Sequence, residues 1–192
     1  MSAQVKHNAH ATVVAARPVW EAVAPSDLPR ATPCALWDVQ DLAEHVFGGL
    51  LLATETLSGA HELDAGQLAA VPATGFESAT LLFLQAVDRV QDGEVRIHTR
   101  LGEMTRDAFV RLITADLLVH TWDLAKAIGV HFQPPLDAAH TTLDDSRSRM
   151  GPDEASREGL PFAGAVDVLA DATPTDRLAA WFGRDPNWSE SA

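Results

Sequence analysis

Residues 105–129 read TRDAFVRLITADLLVHTWDLAKAIG, and this stretch decides the fold. Phe109, Leu112, Ile113, Leu117, His120 and Leu124 recur at spacings of three, four and seven, the pattern of an α-helix with one buried face. Gly129 is a natural stop, since glycine takes the left-handed turn that ends helices without steric cost. The spacing therefore predicts one helix over residues 105–128. Asp116 and His120 stand four apart on its inward stripe, with Ile113, Leu117 and Leu124. Residues four apart lie one above the other, with Cβ atoms ~5–6 Å apart, so both side chains can reach one point. An unpaired carboxylate facing inward is expensive. A metal ion would resolve that cost, and so would an arginine from another helix.

Three more helices are predicted by the same reasoning. One covers roughly residues 9–23, with Pro18 expected to kink or shorten it. The next opens at Asp38, an N-cap with Asp41 in the capping-box position, and Leu42, Val46, Leu50, Ala53 and Leu57 follow at helical spacing. The third begins at Thr74-Gly75-Phe76-Glu77, another capping-box pattern, and runs towards Val90. The connection over residues 58–73 is too long for a tight helical hairpin, so it lets the second and third long helices run parallel in a bundle with one overhand crossing. Val95, Ile97, Thr99 and Leu101 alternate with Arg96, His98 and Arg100, which reads as a short strand. Residues 133–161 are rich in Asp, Ser, Arg and Pro without a sustained period and read as a loop or hinge. Residues 164–169 are expected to form a second strand. Thr173-Pro174 opens a last helix, which Gly183 ends. The expected organisation is a mainly α protein: a four-helix bundle over residues 1–132, a hinge over 133–163, and a small C-terminal α/β extension over 164–192 packed on the bundle.

The chain has 192 residues and a net charge of −13. Nothing so acidic neutralises a run of phosphates, so a nucleic-acid partner is excluded, and an anionic membrane surface is disfavoured. No apolar run approaches the length of a membrane span and no signal-peptide pattern is present, so the chain is read as cytoplasmic. Cys34 is the only cysteine, which rules out an intramolecular disulfide. Its bland reading is a small buried hydrophobe.

His45 lies in the second helix just before Gly48-Gly49. If that helix packs on the Asp116–His120 helix, two imidazoles and a carboxylate meet. Three such donors suit a divalent ion, zinc first and nickel second, and leave a fourth position for water or substrate. Asp41, one turn before His45, and Asp123, three residues after His120, are candidates to hold the far ring nitrogens. Each piece has a plainer reading. A histidine on an apolar face is more often a hydrogen-bonded core residue, an i,i+4 Asp–His pair stabilises a helix by only about 0.2–0.5 kcal/mol, and Asp41 suits the helix N-terminus as it stands. Trp37 and Trp122 are core or site-wall residues. His98 could join the site from its strand. His7, His10, His61, His131 and His140 have no partner at ligand spacing, and no P-loop, dinucleotide fingerprint or nucleophile elbow is present.

Residues 32–49, TPCALWDVQDLAEHVFGG, resemble the helix-two signature of the DinB superfamily, more narrowly its actinobacterial branch related to mycothiol-dependent maleylpyruvate isomerase. Residues 116–127, DLLVHTWDLAKA, are similar to that branch's second signature, and residues 176–186, DRLAAWFGRDP, to the tails of its single-domain members. The resemblance implies a four-helix bundle with an up-down-down-up course and a divalent metal at one end. It implies metal ligands at His45, Asp116 and His120, with the shorter Asp116 standing where the isomerase has glutamate. It also makes a homodimer an expectation. The isomerase carries a larger C-terminal domain that helps form its site, so isomerase activity itself is not carried over.

Two function classes follow. One is a metal-dependent thiol S-transferase or isomerase, in which the metal activates a thiolate, such as that of mycothiol as co-substrate, or water for a small-molecule substrate. The other is a metal-binding bundle without turnover, a ligand sensor or stress-response partner, whose sign would be a fourth protein ligand such as His98. A metal-free bundle with a satisfied Asp–His pair is the third reading.

Overall fold

The computed structural model describes residues 1–35, 37–59, 63–99, 102–158 and 163–190. Leu36, His61, Arg100, Leu101 and Pro161, which entered the sequence readings, lie outside them. Seven helices and one hairpin are seen among the described residues: α1 Ala3–Glu21, α2 Val39–Ser58, α3 Ala65–Ala69, α4 Pro72–Arg89, β1 Arg96–Thr99, β2 Gly102–Thr105, α5 Arg106–Ile128, α6 Leu136–Arg149 and α7 Pro174–Trp181.

α1, α2, α4 and α5 form the bundle, and their cross-contacts set its course. At the start of α1 the Met1 ammonium donates to the Gln91 carbonyl just past α4, and the Ser2 N–H donates to Asp107 at the start of α5. At the other end of α1, Trp20 stacks on Phe76 near the start of α4 (centroids 5.4 Å), tilts against Phe47 in α2 (5.1 Å) and donates to the Thr121 hydroxyl in α5 (3.1 Å). So α1 runs parallel to α5 and antiparallel to α4, while α2 and α4 run together: up, down, down, up. Trp20, Phe47, Phe76 and Phe83 are fully buried, and Trp20 is where all four helices meet.

The start of α2 and both ends of α5 follow the local signals. Asp38 caps α2 and Asp41 answers it in the capping box. Thr105 accepts from the Ala108 N–H, and Gly129 ends α5 at φ 73°. Other expectations are corrected. α1 begins six residues before the expected start, and Pro18 lies inside its last turn. The carbonyl that loses a donor there belongs to Val14, a residue that is 69% exposed, where water can take the place of the missing donor. α4 starts at Pro72, and Thr74 is already helical, its hydroxyl donating to the Val71 carbonyl rather than opening a capping box. The crossing connection carries α3, capped by Asp64. Gly75 lets α4 pass against α3. A methyl group there would overlap the Leu68 carbonyl and sit 2.9 Å from the Phe47 ring.

The expected strand is β1, and its antiparallel partner is the adjacent β2, with Arg96 opposite Thr105 and Thr99 opposite Gly102. Residues 164–169 form no strand, so the C-terminal extension holds a helix rather than an α/β pair. The stretch read as a loop or hinge contains α6, whose buried face is mainly Ala138, Ala139 and Leu143. α6 and α7 pack together and on α5. Among the described residues no helix is long and apolar enough to cross a membrane.

Candidate metal centre

α2 and α5 bring three donors to one point. His45 Nε2 lies 3.2 Å from Asp116 Oδ1, and His120 Nε2 lies 3.5 Å from the same oxygen. The three donor atoms all fall within 4.8 Å of one another. A tetrahedral ion with bonds of ~2.0–2.1 Å sets its ligand atoms about 3.3–3.5 Å apart. The two separations that involve Asp116 already match. The set is graded in exposure: the His45 side chain is 40% exposed, Asp116 25% and His120 6%.

Two features orient the imidazoles. Trp37, on the segment leading into α2, lies over both rings, 4.4 Å from His45 and 5.4 Å from His120. Behind His120, its Nδ1 faces Asp123 Oδ2 at 3.0 Å. With the Nδ1 proton given to that carboxylate, Nε2 presents its lone pair towards Asp116 and His45. Asp123 is itself buried with no exposed surface, and its charge is met by Arg184, which donates to it at 3.1, 3.3 and 3.3 Å. Arg184 also donates to the Phe182 carbonyl, so its fork is anchored at both ends.

Without a metal the cluster is a charge-balanced hydrogen-bond network. Burial opposes protonation of His120, yet Asp116 and, behind it, Asp123 outweigh burial and push its pKa up to about 9. Burial would raise the Asp116 pKa, but His120 and His45 hold it well below the usual carboxylate range. The proton on His120 thus occupies the place of a cation among the same donors. Two imidazoles, one carboxylate, a fixed tautomer and two donor separations near the tetrahedral length fit a divalent ion.

The remaining sequence candidates fall elsewhere. Asp41 gives its carboxylate to the Asp38 N–H at 3.4 Å as part of the cap, rather than to His45. His98 sits on β1 beside Leu52, Thr56 and Phe109, at the far end of α2, and is not part of the cluster. Cys34 is half-buried close enough to feel Arg184, Asp123 and Asp116, and burial pushes its thiol pKa up. Trp122 donates to Asp176 at the start of α7, and His10 pairs with Asp88. Arg184, the residue sequence reasoning missed, lies 61 positions from its partner Asp123. Its only signal is membership of the 176–186 tail motif.

Asp116 and His120 also border a cavity of about 230 Å³, which runs between the start of α1, the flank of α5 and α6, with Phe182 and Arg184 in its wall. The cluster can therefore meet a small molecule from the protein side as well as from His45's exposed side.

The family model for the mycothiol maleylpyruvate isomerase N-terminal domain matches residues 9–125. Two Mycobacterium tuberculosis proteins, Uncharacterized protein MT0763 of strain CDC 1551 / Oshkosh and Uncharacterized protein Rv0738 of strain ATCC 25618 / H37Rv, are each 31% identical over 153 residues, covering 80% of this chain and 82% of theirs. No solved structure matches. The matched span runs from within α1 to the last turn of α5 and includes His45, Asp116, His120 and Asp123, and on this ground the chain belongs to the mycothiol maleylpyruvate isomerase N-terminal domain family of the DinB-like superfamily.

Proposed function

We propose that this protein is a metal-dependent enzyme that acts with a low-molecular-weight thiol, mycothiol by family, as an S-transferase or isomerase on a small electrophile. The observation that supports this most directly is the three-donor cluster with His120 fixed from behind by Asp123 and Arg184 and a cavity at its side. His45, Asp116 and His120 would hold zinc or nickel, which supplies a lowered pKa to a thiol or water in its open position. Asp123 and Arg184 keep the His120 ring from turning. Trp37 covers the two imidazoles and limits water on that face. Asp145, the other carboxylate on the cavity wall, is bound to Arg149 at 3.0 and 3.2 Å and is not poised as a base. The cluster found among the described residues has three members, which favours a reactive site over a closed, purely structural one.

Elemental analysis of untagged protein beside His120→Ala tests the metal. About one equivalent of zinc or nickel, lost in the variant, supports the site; no metal bound and none taken up on titration removes the basis for the enzyme. A screen of metal-loaded protein with mycothiol and a panel of electrophiles tests the chemistry, and uniformly background rates refute it.

A further inference from the structure

The cavity beside Asp116 and His120 has a chemistry of its own. Its α5 wall is one stripe, in which Ala108, Arg111, Leu112, Ala115, Asp116 and Val119 recur at alternating spacings of three and one, the set that a helix superposes on one face. Asp116 stands towards one end and Arg111 five residues earlier, about 7.5 Å along the axis at ~1.5 Å per residue.

The cavity's other arginines are occupied. Arg184 is held by Asp123, and Arg149 is doubly bonded to Asp145. Arg111 is half-buried, and among the described residues it has no hydrogen bond or ion pair. The surrounding wall is largely apolar, from Val5, Met104, Leu112, Met150 and Phe182. The half-exposed guanidinium of Arg111, without a counter-charge, keeps a planar fork of N–H donors free to match a carboxylate. One unmatched positive charge suits a monoanion. A dianionic phosphate would leave excess negative charge against apolar side chains and near Asp145. The volume, about 230 Å³, is below the ~300–1,000 Å³ of pockets for drug-sized ligands.

We infer that this cavity binds a small amphipathic monocarboxylic acid, its carboxylate on Arg111 and its apolar body between Leu112, Met150 and Phe182, reaching towards Asp116 and His120. This names the substrate class of the proposed enzyme and rests on that reading for the role of the bound acid, whereas the binding itself needs no metal.

The test is calorimetric titration of the full chain, metal-stripped and zinc-loaded, with 4-phenylbutyrate and with its neutral amide. In wild type the acid binds about tenfold or more tightly than the amide, the worth of a charge-assisted contact. In Arg111→Gln the acid falls to the level of the amide, whose own binding is unchanged. Met150→Trp, which fills the apolar end, weakens acid and amide alike. An acid preference that is absent in wild type, or that survives in Arg111→Gln, overturns the inference, as does failure of both probes to bind at millimolar concentration. Acid binding that requires zinc and ignores Arg111 places the carboxylate on the metal, so the inference fails while the metal reading stands. Arg111-dependent binding in a protein that takes up no zinc does the reverse.

Discussion

Replacing Asp123 by asparagine, and Arg184 by methionine, singly and together, isolates the contact that holds His120. Asp123 is fully buried and the Arg184 side chain is 9% exposed, so removing one partner strands the other's charge away from water. The three Arg184–Asp123 contacts at 3.1–3.3 Å make it a well-formed pair, and breaking such a pair costs about 3–5 kcal/mol, whereas removing both charges together is often nearly neutral. Urea unfolding of the metal-free protein should therefore show each single variant destabilised by about 3 kcal/mol or more. The double variant should recover much of that loss, with a coupling energy of about 2 kcal/mol or more. Loss of the carboxylate behind a metal-bound histidine should also weaken zinc binding by about 10–100-fold, read by competition with a chromogenic chelator. Single effects that add to within about 0.5 kcal/mol, or a zinc affinity in Asp123→Asn that equals wild type, would refute the reasoning.

Four further outcomes are expected. The metal-free fold raises the His120 pKa to about 9 from ~6.5 in the unfolded chain, so its contribution to stability is complete below the unfolded value and is lost as pH rises through the folded one. The thermal midpoint of the stripped protein should fall between pH 7 and about 9 for this reason, and a rising midpoint contradicts it. Zinc must displace the same proton, so calorimetry in buffers of different ionisation enthalpy should show proton release on binding at pH 7.5 and an apparent affinity that climbs towards pH 9; pH-independent binding would mean that His120 is neutral. Gly75→Ala should cost about 1–3 kcal/mol by forcing α4 away from the Leu68 carbonyl, with zinc stoichiometry unchanged, and an unaltered urea midpoint would show that α3 shifts freely. Trp20→Ala, at the meeting point of the four helices, should cost about 3–5 kcal/mol in the same assay, and a loss below about 1 kcal/mol would mean that the core closes over the gap.

The elements that position the donors were the most legible. α2 and α5 carry their own start signals in Asp38 and Thr105, and α5 its stop in Gly129. The i,i+4 relation of Asp116 and His120 is a property of one helix, so no tertiary information was needed to see that both reach one point. The convergence with His45 needed the helices to pack, and the sequence supplied that as an expectation from family likeness. Three kinds of element escaped. α3 is five residues long, too short for any period. α6 buries small residues, alanines above all, so its apolar face barely contrasts with its polar one. As a result the far wall of the cavity was read as a loop. Arg184 escaped for a third reason. No spacing rule relates residues 61 apart, and a buried carboxylate such as Asp123 announces only that some cation must come, not from where. His98 went the other way: it has the right chemistry, but β1 lies beside the far end of α2.

The bracing of His120 has a consequence in time. Everything needed to bring His45, Asp116 and His120 together has been synthesised once α5 is complete, whereas the arginine that neutralises Asp123 is made 61 residues after that carboxylate. At ~5–20 residues per second that gap is about 3–12 s. During it the nascent bundle has its three donors but a carboxylate behind them still without its cation. Arg184 arrives with a tail that also fastens Trp122 to Asp176 and Lys126 to the Pro186 carbonyl, two more residues in the last turns of α5. The brace behind the centre is thus completed by the segment that follows α7, and a chain ending before residue 184 would carry all three donors without the arginine that meets Asp123.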